Sequence, residues 1–118
     1  MARDSWHFER DGDRLTLSRG RRVRFDVSAE TRLGHVARGK LATQVRQDIW
    51  RALQGLRGFS PVVEVVRDAE GLFLRAGGEV AAPVFPKAWA EARLTEVLSC
   101  PNRRRRWQAF AAVSRGAA

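Results

Sequence analysis

A chain of 118 residues with 44% apolar and 30% charged content matches one folded domain and not a disordered segment. Its formal net charge of +9 points toward anionic partners (nucleic acid, an anionic membrane surface or an acidic protein) and says nothing about fold. No apolar run approaches the ~20 residues that span a bilayer. The first thirteen residues lack a signal-peptide core, and the single cysteine, Cys100, leaves no intrachain disulfide; the expected location is cytoplasmic.

In chain order, Trp6, Phe8 and Arg10 alternate with His7 and Glu9, and Asp11, Gly12 and Asp13 supply a turn. Leu15 and Leu17 alternate next; after Arg19-Gly20, Val23, Phe25 and Val27 alternate with Arg22, Arg24 and Asp26. This period of two predicts an N-terminal antiparallel β-meander of three strands. Ser28 to Gly39 reads as a connection.

A central amphipathic helix comes next, from about Lys40 to Gln54 or Leu56. Leu41, Val45, Ile49, Ala52, Leu53 and Leu56 form one stripe at the helical period. Gly55, Gly58 and Pro61 end it. Val62 to Val66 and Leu72 to Leu74, joined by Asp68-Ala69-Glu70-Gly71, predict a β-hairpin over 61–76. Gly77-Gly78 is expected to break its second strand. A weak further strand over 80–85 would sit at a sheet edge because of Pro83.

Pro86 suits the first turn of a helix over Ala88 to Leu98. Cys100-Pro101-Asn102 stops it, and Asn102 is positioned to cap a last helix over Arg103 to Ser114, with Trp107, Phe110 and Ala111 on its apolar side. The chain is therefore expected to be a single α+β domain over 1–118. From Val23 to Leu98 the order β-α-β-β-α resembles an incomplete ferredoxin-like arrangement, its last strand missing or replaced by a helix. Element order of that kind implies no function.

No residue pattern forms an enzyme site, and no cofactor or metal is expected. His7 and His35 stand apart from each other and from any acid or thiol at ligand spacing. Gly34-His-Val-Ala-Arg-Gly39-Lys40 matches a phosphate loop until Leu41, which stands where a Ser or Thr hydroxyl should hold magnesium. The expected strand end near Val27 also lies too far upstream for such a loop. Arg38, Gly39 and Lys40 still place cations where helix N–H groups are free to meet an anion. Gly55-Leu-Arg-Gly58 and Arg57-Gly58-Phe59 echo RNA-binding motifs, but Pro61 and a strand follow the first where a helix should, and Ser60, Pro61 and Glu64 break the second. Cys100, close to Arg103–Arg106, is expected to have a lowered thiol pKa.

The basic excess concentrates in residues 32–59 and 87–118, both helical by pattern, while 60–86 is net acidic. Arginine supplies 20 of the 22 basic residues, a skew that GC-rich coding also produces. Opposite the apolar stripe of the central helix stand Lys40, Arg46, Trp50, Arg51 and Arg57, with glutamines between them. The second basic group is Arg103, Arg104, Arg105 and Arg106, with Trp107 directly after it. Arginine contacts phosphate, and tryptophan stacks on bases. The expected function is therefore non-enzymatic nucleic-acid binding of low specificity, or a nucleoprotein accessory role, using these ten residues. The alternative is an interaction module for an acidic partner protein, with Trp89, Trp107 and Phe110 on its apolar surface. Membrane binding is disfavoured because the core needs the apolar stripe.

Overall fold

Leu15 and Leu17 give one face of their strand an apolar character, and Trp6, Phe8 and Arg10 continue that face onto a neighbour. In the computed structural model, which describes residues 6–20 and 23–112, these become β1 (His7–Asp11) and β2 (Arg14–Ser18), a hairpin pairing Phe8 with Leu17 and Arg10 with Leu15. The chain continues through β3 (Val27–Leu33), α1 (Arg38–Ala52), β4 (Phe59–Asp68), β5 (Gly71–Val80), α2 (Lys87–Ser99) and α3 (Pro101–Phe110). Five antiparallel strands in the order β1-β2-β4-β5-β3 form one sheet, so the fold is α+β. Among the described residues, no helix is long and apolar enough to cross a membrane.

The third strand differs from the expectation. It starts at Val27, runs through the stretch read as a connection, and pairs with β5 at the far edge of the sheet. Its alternation is carried by Val27, Ala29, Thr31 and Leu33, in which two small or polar residues hide the apolar period. Val23 to Phe25 are irregular, and Phe25 lies over the Arg75 guanidinium, 4.1 Å from the ring centroid, on the face away from Leu74 and Ala76.

β3, α1 and β4 form a split β-α-β unit with β5 between its strands, the ferredoxin-like element order in space. After α2 the place of a fourth strand, along the outer edge of β3, is closed by side chains. Glu91 Oε2 accepts the Ser28 N–H at 3.0 Å, and Arg104 donates to the Arg32 carbonyl and, at 2.9 Å, to Thr31 Oγ1. Two backbone groups that would template another chain, the Ser28 N–H and the Arg32 carbonyl, are thereby occupied.

Gly77-Gly78 does not break β5. A Cβ on Gly77 would collide with the Val27 carbonyl of β3, and one on Gly78 with the Ser60 carbonyl of β4. Gly78 also holds φ at 149°, so the pair lets both neighbours approach. β5 ends at Val80, and residues 81–86 form no strand. Pro61 lies beyond the last β2 partner of β4, so β2 needs no N–H from it.

α1 ends at Ala52, earlier than expected, but Leu53 and Leu56 remain buried. One cluster joins Leu15, Leu17, Val63, Val65, Leu72 and Leu74 of the sheet to Leu41, Val45, Ile49, Leu94, Leu98 and Trp107 of the helices. α3 begins at Pro101 with Cys100 as its N-cap, in place of the expected Asn102, and ends at Phe110. Positions 113 and 114 of its expected extent lie outside the described residues.

Candidate nucleic-acid interface

α1 presents its cations on two separate flanks. Lys40 and Arg51 lie toward α3: the Lys40 ammonium is 6.0 Å from the Phe110 ring centroid, and Arg51 pairs with Asp48 at 3.5 Å. Arg46 lies toward the β1–β2 edge, with its guanidinium on Trp6, and Trp50 follows it one helical turn further along α1. Trp50 is 39% exposed and stacks on Phe59 at 6.5 Å between centroids. Arg57, past the end of α1, lines an apolar groove beside Leu56 and Trp89.

Structure consumes much of the Arg103–Arg106 run. Arg104 ties α3 to β3 and donates to the Leu98 carbonyl at the end of α2, at 2.8 Å. Arg106 donates to Asp48 Oδ2 at 2.6 Å, and Trp107 Nε1 donates to the same oxygen at 2.7 Å. Trp107 is 0% exposed, so its ring is core and cannot stack on a base in this conformation. Arg105 is exposed and bonds Asn102 within α3. The helical pattern had already placed Trp107 on the apolar side of α3; the geometry decides between its two expected roles.

A different basic and aromatic surface emerges between α1 and the β1–β2 edge. Phe8 and Arg10 share the face of their partners Leu17 and Leu15, but β1 is the edge strand, so this face protrudes past the core. The start of α1 packs there: a Cβ built on Gly39 would lie 3.6 Å from Arg10 Nη2 and 3.9 Å from the Phe8 ring. One helical turn or two further on, the Arg46 guanidinium sits 4.3 Å over the Trp6 ring, and Arg19 sits 5.0 Å from the same ring. Such contacts are cation–π pairs.

Sequence reasoning missed Trp6, Phe8, Arg10 and Arg19 as site residues. The available signal was the continuation of Leu15 and Leu17 across the hairpin into aromatic and arginine positions; only the sheet order shows that this strand is an edge. Arg38, at the head of α1, donates to the Gly12 carbonyl at 3.3 Å. Burial, then the neighbouring Arg67 and Arg10, hold its guanidinium below the ordinary arginine value, with Asp13 opposing. Burial and Arg19 do the same to Arg46. Arginine stays charged under such pressure, so an anion brought here relieves a strained positive field. The first turn of α1 adds free N–H groups, has no acidic residue and has no side-chain cap. Glu9 and Asp11 lie on the opposite face, lining a separate cleft with Thr16 and Glu64.

The phosphate-loop resemblance gains one feature and keeps its defect. β3 runs to Leu33, directly before Gly34, so a strand–loop–helix context exists after all. Leu41 is nevertheless 0% exposed in the core, and Gly39 already lies within α1. Among the described residues, no three of His, Cys, Asp and Glu gather as metal ligands. The Cys100 thiol is lowered from its ordinary value, chiefly by the Arg103 backbone N–H and less by the Arg103 charge. In comparisons with protein-family models, curated proteins and solved structures, nothing matches this chain.

Proposed function

We propose that the protein binds nucleic acid with low sequence specificity along the groove between α1 and the β1–β2 edge. The observation that carries this reading is the interleaving of arginine and aromatic side chains there: Arg10 with Phe8, Arg19 and Arg46 on Trp6, and Trp50 beyond them. Arg38 and the free amides of α1 extend it at one end. From Arg38 to Trp50 the helix rises roughly 18 Å. That length suits a few nucleotides of a single strand, with arginines on phosphates and the exposed edges of Phe8 and Trp50 against bases. Phe8 is 45% exposed and therefore open to stacking. Lys40, Arg51 and Arg105 lie outside this groove and add a general positive field.

The test is anisotropy titration of labelled single- and double-stranded oligonucleotides with the wild type, Phe8→Ala, Arg46→Ala and Arg105→Ala. Single strands bind more tightly, and Phe8→Ala and Arg46→Ala each weaken binding about tenfold, in keeping with ~1–3 kcal/mol per stacked base. Arg105→Ala changes it little. Equal losses from all three variants would locate binding in diffuse charge and not in the groove.

A further inference from the structure

On the far side of α1's C-terminus, the loop after α1 and the loop before α2 enclose a groove of about 260 Å³ lined by Leu56, Val84, Phe85, Trp89 and Arg57. Val84 is 87% exposed and Trp89 45%, an uncovered apolar pair on a charged protein. Its walls are pinned together: Ala81 donates its N–H to the Gly58 carbonyl at 3.0 Å. Gly58, at φ 74°, lies so close to Ala81 that a Cβ there would meet Ala81 Cβ at 2.9 Å. A preformed apolar groove of this kind binds without first ordering its own loops.

Charge selects the occupant. Among the described residues, no carboxylate lines the groove, and Arg57 forms part of its wall. α2 begins at the groove with Pro86 as N-cap, no side-chain cap and no acidic residue in its first turn, and exposed Lys87 is its first residue. The positive end of the helix thus adds to both cations. Asp26, an acid within electrostatic reach of Lys87, is engaged by Arg24 and by the Val80 N–H at 2.8 Å, and Glu91, one turn along α2, accepts the Ser28 N–H. A second copy of a chain carrying +9 meets general repulsion.

We propose that this groove docks an acidic peptide segment of a partner protein, an apolar anchor side chain entering between Val84 and Trp89 while flanking carboxylates meet Arg57, Lys87 and the α2 amides. The groove shares no lining residue with the proposed nucleic-acid surface, and the proposal does not rest on that reading.

Three fluorescein-labelled ten-residue peptides titrated against the full chain test it. One interleaves Leu and Phe with Asp and Glu, one replaces the acids by Lys, and one replaces the apolar residues by Ser. The acidic–apolar peptide binds at micromolar protein, at least about tenfold more tightly than either control. Val84→Asp, at a position too exposed to threaten folding, weakens it about tenfold and leaves oligonucleotide binding intact. Arg57→Glu weakens it several-fold and flattens its salt dependence. Equal binding of the three peptides overturns the proposal, as does acidic–apolar binding that Val84→Asp leaves unchanged. Self-association abolished by Val84→Asp assigns the groove to a second copy, and oligonucleotide binding lost with Val84→Asp assigns it to nucleic acid; either outcome also overturns it.

Discussion

Asp48 is the one carboxylate of α1 and is only 4% exposed, a placement that a helical wheel registers merely as lying near the edge of the apolar stripe. It stays there because Trp107 and Arg106 both donate to Oδ2, and the indole N–H would otherwise be buried without an acceptor. Asp48→Ala should therefore cost about 1–3 kcal/mol in urea denaturation, the penalty of an orphaned buried donor. Arg106→Ala should cost less, about 1 kcal/mol or below, because that side chain is 47% exposed and screened by solvent. Similar losses from the two variants would contradict this ranking. At Cys100, alkylation by iodoacetamide followed against pH should show a midpoint below that of an ordinary free thiol. Arg103→Ala should retain part of that shift, since the backbone N–H is its leading cause and the side chain a lesser one.

At the scale of elements, polar side chains anchor β3 at both of its margins. Asp26, just before it, accepts from Arg24 Nη2 at 2.9 Å and from the Val80 N–H at 2.8 Å, and these bonds hold its carboxyl below the ordinary range. Arg32 of β3 grips Asp68 at the end of β4 and lowers that carboxyl likewise. A depressed folded-state pKa favours the ionised form in the native protein. The stabilisation is complete above the unfolded-state value near ~4 and is lost as pH falls toward the folded-state value. Thermal unfolding followed by circular dichroism should thus show a falling midpoint below pH ~4, and Asp26→Asn should flatten that acid limb. An unchanged limb in Asp26→Asn would place the acid sensitivity elsewhere. Arg104 closes the other margin of β3, so a residue from a basic run serves as an edge clasp.

For the whole molecule, part of the basic excess behind the net charge of +9 is gathered on one side of the sheet. The acids Glu9, Asp11 and Glu64 line a cleft on the outer face of the sheet, while Arg10, Arg19, Arg38 and Arg46 converge beside α1. If those four arginines each neutralise about one phosphate, log affinity for a single strand should fall with log salt at a slope near ~−3. Anisotropy titrations across a salt series check this, and a slope near zero at measurable affinity would remove the electrostatic basis of the proposed interface.

Much of the architecture was legible in order and period: an α+β chain, strands in the first half, a central amphipathic helix with Leu41, Val45 and Ile49 inward, a hairpin, and two final helices. Hydrophobic period and turn chemistry are local, so the sequence alone carries them. Three matters rested on tertiary structure. Strand order set β1 and β3 as the two edges, which exposed Phe8 and Arg10 and required the Glu91 and Arg104 clasps. Packing of α3 on α1 withdrew Trp107 and Arg106 from the expected basic face. The meeting of loops from either side of the hairpin made the Val84–Trp89 groove. Each depends on contacts between residues far apart in the chain, where period and propensity are silent.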